Sequence, residues 1–399
     1  MSVVRSQQQV FLRLLRSLQP DWRRDLSLPQ RIQHLLARDR AFGSRDRRLY
    51  RELIYTTLRY LPWIEPLLEP DPDRAVKITA WLAAETRDTL TYRTELCADW
   101  PVTTSLAQRA QFLDADSTAL LPTWFREECP AVFAPDELEA QLARAPLWLR
   151  LQTDETENVA GDFSINGWNV QPSPLLPSAW QVLGEADVTK SSSYTSGRIE
   201  IQDLGSQLLL EMVGLEPGGR WLDACAGAGG KSLQLARLLG SKGNVDAHDV
   251  RPAALSELKI RATRAQTGNL RTVTKVPAND YDGVLVDAPC SGSGTWRRSP
   301  HLKWVTTPAL VATRAEFQSR LLVQYAAHVR PGGRLVYATC SLSHRENEDV
   351  VQAFLAARPD YETVAFARTF GFAPQGAGVT LLPARHDTDG FYVASLRRR

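Results

Sequence analysis

From Ile201 onward the chain alternates short apolar runs with amphipathic stretches, and a glycine-rich loop separates the first run from the first stretch. Strand candidates fall at 220–224, 243–249, 270–276, 283–288 and 333–339, with helical spacing at 232–239, 252–265 and 308–328. Strand-length runs joined by one helix each point to a mostly parallel, doubly wound α/β sheet. Ligands of such sheets lie beyond the carboxyl ends of the strands. Chemistry is therefore expected in the residues that follow each apolar run.

Upstream the texture differs. Residues 1 to about 140 read as helical, with apolar side chains three and four apart at 10–18 and 49–61. Ser44 is placed to cap the second of these helices, and Pro62, Pro66, Pro70 and Pro72 end it. Residues 147–152 look like a strand, and 161–197 reads as a small β-containing insert rich in Ser, Pro and Gly. A chain of 399 residues exceeds one core. Three parts are expected: helical 1–140, a linker and small α+β subdomain at 141–200, and an α/β domain at 201–399.

No apolar run reaches the roughly 18–20 residues of a membrane helix, and the first residues lack a secretory pattern. Five cysteines without pairing or metal-ligand spacing suggest a reducing compartment, so a cytoplasmic chain with no metal and no membrane partner is expected. The formal charge is only +2, but residues 1–60 hold 13 Arg, no Lys and 5 acids, while 61–145 hold 7 cations and 15 acids. Either two helical faces attract each other, or the arginines, with Phe42 and Tyr50 nearby, contact nucleic-acid phosphates.

The loop Asp223-Ala-Cys-Ala-Gly-Ala-Gly-Gly-Lys-Ser232 follows a strand and opens a helix. Its glycines permit positive φ and close backbone approach, and the helix start presents free N–H groups to a ligand. Cys225 stands where a P-loop needs its first glycine, and Ser232 where a dinucleotide motif needs its third. Asp249 ends the next strand, where a carboxylate can accept both ribose hydroxyls. An adenosine cofactor without a pyrophosphate, such as S-adenosylmethionine, satisfies these constraints. Lys231 is unfavourable at a helix start, which favours a role at the ligand.

Cys290 and Cys340 each close an apolar run, in Asp287-Ala-Pro-Cys-Ser-Gly and Ala-Thr-Cys-Ser. A lone strand-end cysteine is ordinarily a small buried hydrophobe. Two of them facing one crevice suit nucleophilic catalysis, in which a thiolate adds to a pyrimidine and activates the neighbouring carbon for methylation. Asp287 is placed to hydrogen-bond that ring.

These segments, with Tyr337-Ala-Thr-Cys-Ser341, resemble the RsmB/Sun/NSUN family of RNA cytosine-C5 methyltransferases. Gln202-Asp-Leu-Gly-Ser-Gln207, Trp296-Arg-Arg-Ser-Pro300, Lys303-Trp304, Glu346-Asn347 and Asp389-Gly-Phe-Tyr-Val-Ala394 extend the resemblance over about 145–399. It implies a Rossmann-like methyltransferase domain, Cys340 as the nucleophile on C6, and Cys290 as the residue assisting product release. Cofactor contacts are implied at Cys225, Ala226, Gly227, Ala228, Gly229, Gly230, Lys231, Asp249 and Asp287. The implied substrate is ribosomal RNA carrying a single-stranded or flipped cytosine, bound by a monomer. Transfer RNA as substrate and a ribosome assembly factor without catalysis are the alternatives.

Two departures stand out. The loop reads Ala-Gly-Ala-Gly-Gly where many members have Ala-Ala-Pro-Gly-Gly. The family's adenine-contacting Asp after the third strand has no counterpart, since neither Asn279 nor Asp280 matches it. Residues 39–53 resemble, more weakly, the NusB-like RNA-binding domain of RsmB-type members, which implies that fold for 1–140. Arg150 matches an arginine of the RNA-handling subdomain but serves equally as a structural cation, and Glu346 is either functional or the end of a Ser343–Glu346 capping box.

Overall fold

The computed structural model describes residues 3–278 and 280–399. Two compact units emerge. One holds residues up to Arg144 together with Thr295–Pro308, the other Ala145–Gly294 with Ala309–Arg399.

The first unit is helical. Its core gathers Phe11, Leu15, Leu53, Ile54 and Phe125, all within about 1% of full burial. The helix expected at 49–61 is Ser44–Arg59; Gly43 rather than Ser44 is its N-cap, and the Gly43 N–H donates to Asp46 Oδ2 at 3.1 Å. It stops early because Pro62 has no N–H for the Leu58 carbonyl. Trp304 Nε1 supplies that donor at 2.6 Å, and Lys303 Nζ donates to Arg59 O at 2.8 Å and Leu120 O at 3.1 Å. Residues 295–308, expected in the α/β domain, are thus part of the helical unit, because they satisfy carbonyls that no local residue reaches. Trp296 packs on Phe125 with ring centroids 4.5 Å apart.

Phe42 and Tyr50 are buried and pack on one another at 5.0 Å, so they form core rather than a stacking platform for nucleic acid. Arg48 pairs with Asp88 at 2.5 Å, joining the basic stretch to the acidic one. At this pair the two stretches attract each other.

The second unit carries two sheets. Strands β1 (Leu147–Leu151), β2 (Asn169–Pro172), β3 (Ala179–Leu183) and β4 (Ile199–Ile201) pair antiparallel in the order β2-β3-β1-β4. Leu149, Leu151, Trp180 and Val182 share a core with Val159 and Phe163 of the helix Thr156–Ile165. Trp148, Leu176 and Ala179 instead join the core of the larger sheet, which is why this region does not separate as its own unit.

In the larger sheet β5 (Gly219–Asp223), β6 (Gly243–His248), β7 (Leu270–Val273), β8 (Tyr281–Asp287) and β9 (Val329–Thr339) run parallel in the order β7-β6-β5-β8-β9. An antiparallel flank extends β9: β13 (Phe391–Arg398) pairs with it, β12 (Gly378–Leu381) and β10 (Tyr361–Thr363) pair with β13, and β11 (Pro374–Gln375) closes the edge. The chain winds outward from β5 through β7 and then returns to β8 on the opposite side. That reversal opens a crevice past the ends of β5 and β8.

Candidate active site

The glycine-rich loop leaves β5 at Asp223 and enters the helix Gly230–Leu239. Gly227 and Gly229 have φ of +54° and +92°, which side chains resist. A Cβ on Gly229 would come within 2.6 Å of Leu258 Cγ, so glycine there is also a packing requirement. Gly230 faces open space, and Gly227 has only Arg251 near it. The loop's carbonyls are tied from outside: Arg261 Nη1 donates to Ala228 O at 2.8 Å and Arg150 Nη1 to Gly230 O at 2.7 Å. Glu200 on β4 receives Arg261 and Arg264 at 2.7 and 2.6 Å. Arg150 is therefore a structural cation of the cofactor loop. Burial lowers its pKa to about 9. No sequence signal marked Arg261.

Asp249 lies just past β6. Its Oδ2 accepts Gly227 N–H at 2.8 Å and Arg251 Nη2 at 2.9 Å, and its Oδ1 accepts Arg251 N and Nε, both at 2.9 Å. Burial opposes ionisation, but the bonds from Arg251 and Gly227 hold its pKa at about 2. A carboxylate has about four acceptor sites, and all four are taken. The expected ribose contact requires the exposed Arg251 side chain to turn away. Beside it, Val250 is 82% exposed, an apolar surface at the mouth of the crevice. The shortened segment before β8 packs Val276, like Cys225, against the core of β5, β8 and β9; Asn279 lies outside the described residues. Burial first, then nearby carboxylates, raises the Cys225 pKa far beyond the reactive range.

Asp287 ends β8, and its Oδ2 receives Lys231 Nζ at 2.9 Å. The pair neutralises a cation that the helix start alone would disfavour. Cys290 Sγ and Cys340 Sγ lie 3.3 Å apart. The hydrogen bond from Cys290 lowers the Cys340 pKa, against the opposing effect of burial, while holding the proton raises that of Cys290.

Glu346 unites the two thiol loops. It accepts Ser291 N at 2.8 Å, Ser341 Oγ at 2.6 Å, Gln318 Nε2 at 2.9 Å and, most closely, Ser291 Oγ. The capping box is not formed: Ser343 makes no side-chain cap, and Glu346 precedes the helix Glu348–Ala357. Asn347 continues the brace through Thr339 Oγ1 at 2.6 Å and Ser341 O at 2.9 Å. Gly294 N donates to Cys340 O at 2.9 Å and its carbonyl accepts Gly390 N at 2.7 Å; any Cβ on Gly294 would strike Gly390. Asp203 caps Gly205 N and accepts Asp389 N, so the sequence motifs of four distant segments meet in one assembly.

Residues 210–397 match the family described as 16S rRNA methyltransferase RsmB/F. The ribosomal RNA small subunit methyltransferase B of Klebsiella pneumoniae is 31% identical over 306 residues, 73% of this chain and 69% of that protein. The chain belongs to the RsmB/F family. A probable ribosomal RNA small subunit methyltransferase B of Synechocystis is 30% identical over 318 residues, covering 73% and 71% of the two chains. In fold, the RsmB/F chain matches the crystal structure of PH0851 with a TM-score of 0.73 at 22% identity, over 94% of this chain and 95% of that one. It also matches NSun6 from Pyrococcus horikoshii with SFG, with a TM-score of 0.62 at 19% identity, over 69% and 98%.

S-adenosylmethionine is the cofactor of this RsmB/F methyltransferase. The crevice fits it: the side-chain-free surfaces of Gly227 and Gly230 leave a cradle at a helix N-terminus, bordered by carboxylates on two strand ends. None of the helices among the described residues is long and apolar enough to cross a membrane.

Proposed function

We propose that this RsmB/F member methylates C5 of a cytosine in ribosomal RNA, with Cys340 as covalent nucleophile and Cys290 in product release. The observation that carries the reading is the pair of sulfurs at 3.3 Å, on two loops braced by the one carboxylate of Glu346. The names of the relatives support ribosomal RNA as the substrate class.

Cytosine C5 is a poor nucleophile. Cys340 thiolate adding to C6 forms an S–C6 bond and moves an electron pair toward C5, which then takes the methyl group. When bound, S-adenosylmethionine supplies that electrophilic methyl. Loss of the C5 proton to a base re-forms the double bond, and the S–C6 bond breaks to return the thiolate. Cys290, holding its proton beside Cys340, favours the thiolate before attack and serves the release step. Asp287, paired with Lys231, accepts a hydrogen bond from the cytosine 4-amino group and so orients the ring for attack. Asp249 and the N–H groups of Ala228, Gly230 and Lys231 would hold the cofactor's ribose and carboxylate.

The test is incubation of the purified protein with S-adenosylmethionine and unmodified small-subunit ribosomal RNA, then nucleoside chromatography. The expected product is 5-methylcytidine; methylation of another nucleoside alone would overturn the reading.

A further inference from the structure

The helical unit contains a cavity of about 640 Å³ that the catalytic chemistry does not use. Arg59, Arg93, Arg109 and Arg144 line it, together with Tyr60 and Trp100. Its size falls within the roughly 300–1,000 Å³ of ligand sites. Residues 61–145 hold only 7 cations against 15 acids, yet three of those cations converge here, joined by Arg59 from the preceding helix.

The charge is poorly compensated. Of the lining carboxylates, Glu85 pairs with Arg93 at 3.1 Å and Glu139 accepts Leu106 N–H at 2.6 Å. Arg109 donates to Tyr60 Oη at 3.0 Å, and Arg59 Nη2 to the Arg297 carbonyl at 3.1 Å. Among the described residues no carboxylate forms an ion pair with Arg59, Arg109 or Arg144. Arg59 is only 9% exposed, and its Nε has no hydrogen-bond partner; neither has Nε of Arg93. Burial lowers the pKa of Arg59; Tyr60 and Glu52 oppose this, and the nearby Arg144 and Arg297 add to it. A buried cation without its counter-charge is costly, and a bound anion removes that cost.

Trp100 shows what kind of anion fits. Its ring is held by Trp81 at 5.5 Å and by Phe112 at 5.1 Å, with Lys77 Nζ 4.9 Å from its centroid, a fixed aromatic surface in the cavity that the arginines line. Phosphates on arginine forks with a base against an aromatic ring is how single strands are held. We propose that this cavity is a second RNA contact, seating phosphates of a single-stranded segment on Arg59, Arg109 and Arg144 with a base against Trp100. It rests on the reading of RNA as substrate.

The test uses the full chain and a fluorescein-labelled single-stranded oligoribonucleotide, with binding read by anisotropy across salt concentrations. Arg109→Gln with Arg144→Gln is expected to weaken binding tenfold or more. The slope of log K against log salt should fall by about 1.4, the loss of two phosphate contacts. The exposed Arg144→Gln alone should give a smaller loss with an unchanged melting temperature, and Arg144→Lys should restore most of it. In methyl transfer the KM for RNA should rise while kcat at saturating RNA stays within twofold. Binding within twofold of wild type in the double variant would overturn the proposal. So would an equal loss from Arg16→Gln with Arg24→Gln, exposed arginines outside the cavity. A wild-type chain that methylates no RNA, yet loses oligonucleotide binding in the double variant, would sink the functional reading and support the cavity.

Discussion

The two ends of the crevice are built differently. At the thiol end, Glu346, Asn347, Gly294 and Gly390 brace the sulfurs from several directions, and nothing stands between the sulfurs themselves. At the end where the ribose contact is proposed, Asp249 already accepts four hydrogen bonds, three of them from Arg251 two residues away. One end is fixed before substrate arrives; the other must exchange partners. Catalysis benefits from fixed geometry at the reacting atoms, whereas a dissociable cofactor tolerates exchange at its periphery.

Substitutions at each end can break this contrast. Cys340→Ala should abolish methyl transfer and any covalent RNA adduct, while Cys290→Ala should accumulate the adduct on denaturing gels; an adduct in Cys340→Ala would reverse the assigned roles. Glu346→Ala leaves four donors from Ser291, Ser341 and Gln318 without their acceptor. It should lower kcat by about 100-fold, the scale of a misplacement near 1 Å, with cofactor affinity nearly unchanged by calorimetry. Asp249→Asn should do the reverse, weakening cofactor binding by about 10–100-fold through loss of charge-assisted bonds worth about 1.5–3 kcal/mol.

Acidity offers a finer probe. Because Cys340 titrates below the usual thiol value, its thiolate persists as pH falls until that lowered pKa is crossed. Alkylation of Cys340 by iodoacetamide should therefore rise with pH through a midpoint below 9. Removing the donor in Cys290→Ala should move that midpoint up. The smallest effect belongs to Arg251→Ala. Freeing Asp249 from an exposed pair worth at most about 1 kcal/mol should tighten S-adenosylmethionine by about fivefold or less; clear weakening would mean that Arg251 grips the cofactor.

Legibility in the sequence followed locality. The glycine-rich loop, the strands around it and both cysteines were readable because period, turn chemistry and strand ends are encoded by neighbours. The helical spacing read at 252–265 is the helix Pro252–Arg264. The antiparallel flank was not resolved, since β10, β11 and β12 are two to four residues long and carry little periodicity. The capping-box spacing at Ser343–Glu346 was real, but Glu346 turned to stronger donors more than 20 residues away. Arg251 followed Asp249 by two residues and still gave no warning that it would cover the carboxylate. Lys303-Trp304 was visible as a motif, yet its task depends on carbonyls some 240 residues earlier.

That last arrangement sets an order of events during synthesis. The helical unit is discontinuous, and its missing piece follows Arg144 by about 150 residues. At roughly 5–20 residues per second, the ribosome needs on the order of 8–30 s to deliver it. Until then the carbonyls of Leu58, Arg59 and Leu120 lack their side-chain donors. A nascent chain paused before residue 295 holds an unfinished first unit, exposed to chaperones and proteases for that interval.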